Sequence, residues 1–441
     1  MSESKSTSPV RLITTTTCLC LVIANMVGTG VFTSLGFQLN SLHSPFAILL
    51  LWVLGGILAL TGAFSYAELA LTLPRSGGEY HFLSKIYHPA IGFVAGITSV
   101  LVGFAAPIAI SAIAFQHYLQ GTFPGHEFPW APLAVVLIIT SIHSISLKVG
   151  SSFQVFFTTA KILLIVAFIL LSFLLLDPIP VNFLPGKEDL AVVGSSGFAI
   201  GLMYVMYSYL GWNAAIYIVE EIRNPSRSIV IALTAGTLIV TILYTLLNYI
   251  FLKAAPAEAL RGQIEIGQIV ATHIFGENGG RIMSGLICLG LISSLSAMVW
   301  AGPRVLQVFG EDYLLLRPLG KRSSQGIPVR ALWLQASLAL GILLFAVFDQ
   351  IILFTQFTLT LSTFLTVLGV ILLRWKSPDL PRPFRCPLFP FTPLLFLLIT
   401  GFTLIHVLIA KPFESLSGLA FLTLSLILFF IDKQLSRSKP A

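Results

Sequence analysis

The sequence predicts an all-α polytopic membrane protein of about twelve transmembrane helices, and three observations carry that reading. Of the 441 residues, 56% are hydrophobic and only 10% are charged. Mean hydropathy is +0.93. Apolar runs long enough to cross a bilayer recur to the end of the chain. A run of ~20 apolar residues matches the roughly 30 Å of hydrocarbon, in which a helix bonds all of its own backbone groups. No stretch is left over for a soluble domain. Residues 1–11 are polar, and the apolar run behind them is too long for a signal-peptide core and lacks a small-residue cleavage site. The first span is therefore expected to stay in the mature protein.

Apolar runs bounded by Pro, Gly and charge place spans 1 to 12 at 12–38, 45–73, 90–119, 130–147, 152–176, 194–219, 229–252, 281–308, 331–348, 351–373, 391–410 and 414–432, with tight hairpins near Asp349 and Lys411. Placing the N-terminus in the cytoplasm puts nineteen of the 25 Lys and Arg residues inside, leaves Lys187, Lys253, Arg261, Arg281 and Lys411 outside, and puts Lys161 within a span. This bias and an even number of spans predict that both termini are cytoplasmic. The net charge of +7 is then a matter of orientation, not of nucleic acid binding. Cys18, Cys20 and Cys288 fall in apolar spans and Cys386 in a basic loop, so no disulfide is expected.

Two spans are interrupted. Span 1 carries Val27-Gly28-Thr29-Gly30-Val31-Phe32, and span 6 carries Tyr207-Ser208-Tyr209-Leu210-Gly211-Trp212-Asn213. A mid-helix glycine costs roughly 1 kcal/mol relative to alanine, so such segments at membrane depth point to broken helices lining a cavity. The alternative for one glycine pair is close helix packing. The breaks are five spans apart, and an odd shift inverts one half relative to the other. The expected organisation is a cytoplasmic tail 1–11, repeat 1 at 12–176, repeat 2 at 194–373, appended spans at 391–432 and a cytoplasmic tail 433–441.

At the span 1 break the amides of Gly28, Thr29 and Gly30 would stand at the positive end of a half-helix and suit a carboxylate. Free carbonyls around Ala24 to Val27 and Tyr207 to Leu210 suit an ammonium group, so together they describe an α-amino acid site. Tyr207 and Trp212 flank the span 6 break and are positioned to cover a substrate. Lys161 lies about 14 Å into its helix, where an ionisable group is functional by default. Its ammonium is expected to stand where a sodium ion would bridge spans 1 and 8, or to titrate and couple to protons. Glu68 is the one carboxylate inside an apolar run, and it is expected to pair with Arg11, Arg223 or Arg227 in an inner gate or to form a structural ion pair. No carboxylate is expected at the midplane. The sequence has no metal-ligand spacing and no nucleotide-binding loop, and no cofactor is implied.

Asn25-Met26-Val27-Gly28-Thr29-Gly30-Val31-Phe32, Ser65-Tyr66-Ala67-Glu68-Leu69, Pro74-Arg75-Ser76-Gly77-Gly78-Glu79-Tyr80 and Gly211-Trp212-Asn213 with Glu220-Glu221-Ile222-Arg223-Asn224-Pro225-Ser226-Arg227 resemble the amino acid–polyamine–organocation superfamily. The likeness covers spans 1 to 10 and is strongest to the L-type amino acid transporter branch and its bacterial relatives. It implies a five-plus-five inverted-repeat fold with spans 1 and 6 unwound, two extra C-terminal helices and alternating access. It also implies that Gly28, Thr29 and Gly30 receive the substrate carboxylate, that Tyr207 stands at an aromatic gate and that Lys161 replaces a sodium site. Span 3 at Leu101–Pro107 and the Trp300–Arg304 end of span 8 depart from the L-type pattern. The loop 120–131 lacks the cysteine through which animal light chains join a heavy subunit, so no disulfide-linked heavy chain is expected.

The substrate-contacting set is therefore Val27, Gly28, Thr29, Gly30, Tyr207, Ser208, Leu210, Gly211 and Trp212. The expected function is sodium-independent exchange of neutral amino acids across a plasma or bacterial inner membrane. Proton-coupled uptake and transport of cationic amino acids or polyamines are the nearest rivals, and a channel or sensor on the same scaffold is a reading of a different class. No convergent nucleophile, base or metal set indicates an enzyme.

Overall fold

The computed structural model describes residues 12–344 and 348–437. The tail 1–11 with Lys5 and Arg11, residues 345–347 ahead of Asp349, and residues 438–441 with Lys439 lie outside the described residues. Among the described residues, nine helices are long and apolar enough to cross a membrane, and three shorter apolar helices occupy the places expected of spans 4, 6 and 9.

Helix starts follow local chemistry. Ser44 accepts from the Ala47 amide ahead of Pro45, Ser146 from Val149 and Ser195 from Phe198, so each hydroxyl satisfies an amide that the first turn leaves orphaned. Span 1 is two helices, Thr15–Met26 and Gly30–Gln38, separated by Val27-Gly28-Thr29. Span 6 is an α-helix over Ser196–Ser208, a turn, and a tighter 3-10 segment over Ala214–Glu221. In span 1 89% of the apolar window is buried, against 28% in span 11 and 22% in span 12. Span 1 is thus the centre of the bundle, while the appended spans keep much of their surface for lipid. Spans 5, 7 and 8 pack around span 1, and spans 2, 10 and 11 pack around span 6.

Three segments differ from expectation. The loop after span 2 contains a helix over Glu79–Ile86. The preceding Gly77 and Gly78 have φ of +105° and +56°, a conformation that turns the chain back into the bundle and that a side chain would strain. Residues 253–280 are not an open loop. Ala257–Leu260 is a helical turn, and the helix of span 8 begins at Ile266 and bends at Gly276. Span 3 holds a π-helical stretch over Ser99–Ala105. Pro107 has no N–H to donate to the Gly103 carbonyl, so the ladder shifts register there, and such wide turns gather at functional sites.

Candidate functional site

The two breaks meet. Ser34, one turn past the span 1 break, donates to or accepts from Ser208 at 2.8 Å, and Tyr244 of span 7 donates to the carbonyls of Met26 at 2.6 Å and Ser208 at 3.0 Å. One phenol therefore pins both unwound segments. Gly30 allows the approach: a Cβ there would stand 2.5 Å from the Ser208 Cα and 2.6 Å from its hydroxyl. Gly28 is different, because a Cβ there would meet nothing nearer than the Ser294 hydroxyl at 3.8 Å. The close-packing alternative thus describes Gly30, while the missing side chain of Gly28 leaves open space.

That space is a cavity. Gly28, Thr29, Gly30, Tyr207, Ser208, Leu210, Gly211 and Trp212 line it, and Val27, though expected, does not. The Val27 carbonyl instead accepts from Lys161, and also from the Ser294 hydroxyl at 2.6 Å. Lys161 is 3% exposed. Its ammonium also donates to the Ala24 carbonyl at 3.3 Å and to the Ser294 hydroxyl at 2.8 Å. It joins the open end of the first half of span 1 to span 8 through carbonyls that the helix break leaves without helical partners.

The backbone groups at the breaks are not all available. The Gly28 amide donates to the Met26 carbonyl at 2.8 Å, whereas among the described residues the amides of Thr29 and Gly30 have no backbone acceptor. The carbonyls of Ala24, Met26, Val27, Tyr207 and Ser208 are engaged. Among the described residues those of Asn25, Tyr209 and Leu210 accept no backbone hydrogen bond outside the regular helices.

Among the described residues Glu68 does not meet Arg223 or Arg227. Glu68 accepts from Arg374 at 2.8 and 2.6 Å and from the Cys386 amide at 2.7 Å, with Arg382 at 3.5 Å. It ties span 2 to the end of span 10 and the following loop, because its face of the helix turns away from span 1. Arg223 and Arg227 are exposed, and Arg11 lies outside the described residues. The end of the bundle that carries the Arg-rich loops is closed instead by Glu221 with Arg304, a buried pair at 2.8 Å, and by Arg75 on Asp312 at 2.8 Å and Glu311 at 3.3 Å. The Ile13 amide donates to the Glu221 carbonyl at 3.0 Å, and the Arg223 amide to the Ile13 carbonyl at 3.0 Å, stitching the start of span 1 to the end of span 6. Toward the opposite end Tyr207 is buried over the cavity, and Phe37 and Tyr204 stack at 5.4 Å.

Sequence reasoning missed one lining group above all. Glu79, at the start of the helix after span 2, places its carboxyl in the cavity wall. This overturns the expectation of no carboxylate there. Tyr66 donates to it at 2.6 Å, Asn213 at 3.4 Å and Ser99 at 3.4 Å. Burial pushes this carboxyl up to about 7, against the pull of the Tyr66 and Ser99 bonds. The remaining wall is mostly apolar, with Phe104, Pro107, Met298 and Leu359, and includes Tyr217. The signal for it was present in the Gly103 and Pro107 interruption of span 3. Among the described residues no cluster of His, Cys, Asp and Glu could hold a metal ion.

The arrangement resembles known carriers along its whole length. The family model for amino acid permease matches residues 13–431. The b(0,+)-type amino acid transporter 1 of Mus musculus is 26% identical over 98% of this chain and 89% of its own length. The cystine/glutamate transporter of Homo sapiens is 28% identical over 92% of this chain and 82% of its own. The large neutral amino acids transporter small subunit 2 of Mus musculus is 26% identical over 93% and 79%. With two broken spans around one cavity and a family match over nearly all of its length, the chain belongs to the amino acid permease family of the amino acid–polyamine–organocation superfamily, and it is an integral membrane transporter of amino acids.

Proposed function

We propose that the protein is a sodium-independent exchanger of neutral L-amino acids, working by alternating access between two inverted halves at 12–176 and 194–373. The observation that carries it is the Lys161 side chain, whose amino group fills the space between the span 1 carbonyls and Ser294. A sodium ion has no oxygen cage left there, since the same oxygens cannot serve both cations.

Substrate carboxylate lies on the amides of Thr29 and Gly30 at the positive end of the outer half-helix, in the room that Gly28 leaves. The ammonium group meets the carbonyls of Asn25, Tyr209 and Leu210, and Ser208, Gly211 and Trp212 complete that wall. The neutral side chain lies against Phe104, Pro107, Met298 and Leu359, with Glu79 in its protonated form. Tyr207 and the Glu221–Arg304 pair form the two gates. The termini are cytoplasmic, the membrane is a plasma or bacterial inner membrane, and no enzymatic step is involved. No disulfide-linked heavy chain is part of this reading, since residues 120–131 hold no cysteine.

Counterflow in proteoliposomes tests the reading. Uptake of a labelled neutral amino acid should require unlabelled amino acid inside and be unchanged when sodium is replaced by choline. Accumulation in empty vesicles under a pH gradient overturns exchange in favour of proton coupling.

A further inference from the structure

The inference rests on the cavity being the amino acid site, and it concerns the wall opposite the breaks. Glu79 is only 2% exposed, yet its carboxyl lines the cavity. The groups that face it are neutral: the Tyr66 phenol of span 2, Ser99 of span 3, and Asn213 with the Tyr217 phenol of span 6. Cations on the surrounding elements are engaged elsewhere. Arg304 holds Glu221, Arg75 holds Asp312 and Glu311, and Lys161 holds the span 1 carbonyls. Span 10 packs against the helix of Glu79, and its Arg374 and Lys376 bond Glu68 and the Ile86 carbonyl. The start of span 3, over Pro89–Thr98, carries no charge. His81 and Lys85, on the same helix as Glu79, face a separate cavity with Asp312 and Lys433.

A buried carboxylate with only neutral donors is a strained charge, and it is relieved by a proton or by a cation. The transport cavity is where either one arrives. We propose that Glu79 compensates the charge of the cargo: carrying a proton it admits neutral side chains, and ionised it admits a cationic one. Phe104 and Tyr217, edge to face at 5.1 Å in the same wall, present ring surface to the stem and head of such a side chain. Because burial sets the Glu79 carboxyl at about 7, the changeover falls near neutral pH.

The proton balance follows. A neutral amino acid enters with one proton taken from water on the side to which the cavity is open, and the proton leaves to water on the other side. A cationic amino acid enters with none. Both loaded forms carry the same net charge, so exchange of a neutral for a cationic amino acid moves one proton and no net charge.

The test uses the full chain in proteoliposomes, with labelled leucine and arginine, between pH 6 and pH 8. For a group titrating near 7 the ionised fraction rises from about a tenth to about nine tenths over that range. Arginine affinity should rise about tenfold and leucine affinity fall about tenfold. Glu79→Gln should hold leucine at its low-pH affinity throughout and weaken arginine by at least about tenfold. Tyr66→Phe keeps the carboxyl and removes its nearest donor, so both profiles should shift upward by about one pH unit, which serves if the glutamine variant does not fold. Unchanged arginine affinity in Glu79→Gln, or a leucine pH profile that survives in it, overturns the proposal. Leucine exchange with no arginine uptake at any pH overturns it while leaving the transporter reading standing. Failure of every amino acid in counterflow ends both.

Discussion

Lys161 and Glu68 are both nearly out of contact with solvent, at 3% and 2% exposure, and each holds three or more partners, but they belong to different parts of the molecule. Lys161 bonds carbonyls that exist only because span 1 is unwound. Glu68 bonds two arginines and an amide where span 2, span 10 and the following loop meet. The first group is saturated by the functional break itself, the second by the scaffold. A buried charge within a membrane is thus informative through what satisfies it, not through its depth alone. The glycines of span 1 repeat the contrast at two residues' distance, with Gly28 facing the cavity and Gly30 facing Ser208.

The largest effect should come from Lys161→Ala. It takes the ammonium away from the carbonyls of Ala24 and Val27 and leaves the join of span 1 to span 8 at Val27 to the Ser294 hydroxyl. Loss of about 3 kcal/mol of hydrogen bonding to a charged group corresponds to a fall of at least ~100-fold in exchange rate. Counterflow with matched protein incorporation measures it, and turnover within a factor of two of wild type would break the comparison. Gly28→Ala comes next. Its methyl group clears all protein atoms but enters the cavity, so substrate affinity should weaken about tenfold while the melting temperature holds. Gly30→Ala should do the opposite first, lowering the melting temperature because Ser208 has to move.

The end closed by Glu221 and Arg304 is read by labelling and not by exchange. Arg304→Ala leaves Glu221 buried without its cation, at a cost of about 3–5 kcal/mol to the closed arrangement. Cys18 is fully buried close to Glu221, and its thiol should become several-fold more reactive toward a permeant maleimide as that end opens. Peptide mapping of the labelled protein distinguishes Cys18 from Cys386. An unchanged labelling rate would remove the Glu221–Arg304 pair from the gate.

Much of this architecture was legible in the chain, and for stated reasons. Hydropathy has the period and length of the bilayer, so each expected span falls on an observed helix. Glycine at 28 and 211 marks the two backbone breaks, while Gly30 at the start of the second half-helix serves the close approach of Ser208. What was hidden is the direction in which side chains point. Glu79 follows Pro74 and two glycines in a polar stretch that reads as a loop, and only tertiary structure folds it back to the cavity. Glu221 and Arg304 are 83 residues apart and stand at the ends of spans 6 and 8, where a charge reads as facing water. Glu68 was visible as buried and a structural ion pair was one of its two readings, but neither Arg223 nor Arg227 is its partner, since a helix rotation of 100° per residue decides which neighbour a side chain meets.

The smallest effect on transport, and the sharpest check of the contrast, belongs to Glu68→Gln. The amide keeps the volume and one acceptor oxygen but leaves Arg374 and Arg382 facing a neutral group. Arg382 is nearly buried, and it keeps its bonds to the carbonyls of Pro378, Leu380, Leu373 and Ser377, so its charge is not stranded outright. Arg374 is about a fifth exposed and stacks on Phe389 at 3.8 Å, which retains part of its stabilisation. The loss should therefore fall at the lower end of the range for breaking a buried pair, about 3 kcal/mol, and appear as a lowered melting temperature. None of these partners lines the cavity, so substrate affinity should stay within about twofold of wild type. A Glu68→Gln protein that melts normally yet loses exchange would move Glu68 from the scaffold into the transport cycle, and with it the claim that the partner, not the depth, tells a buried charge's role.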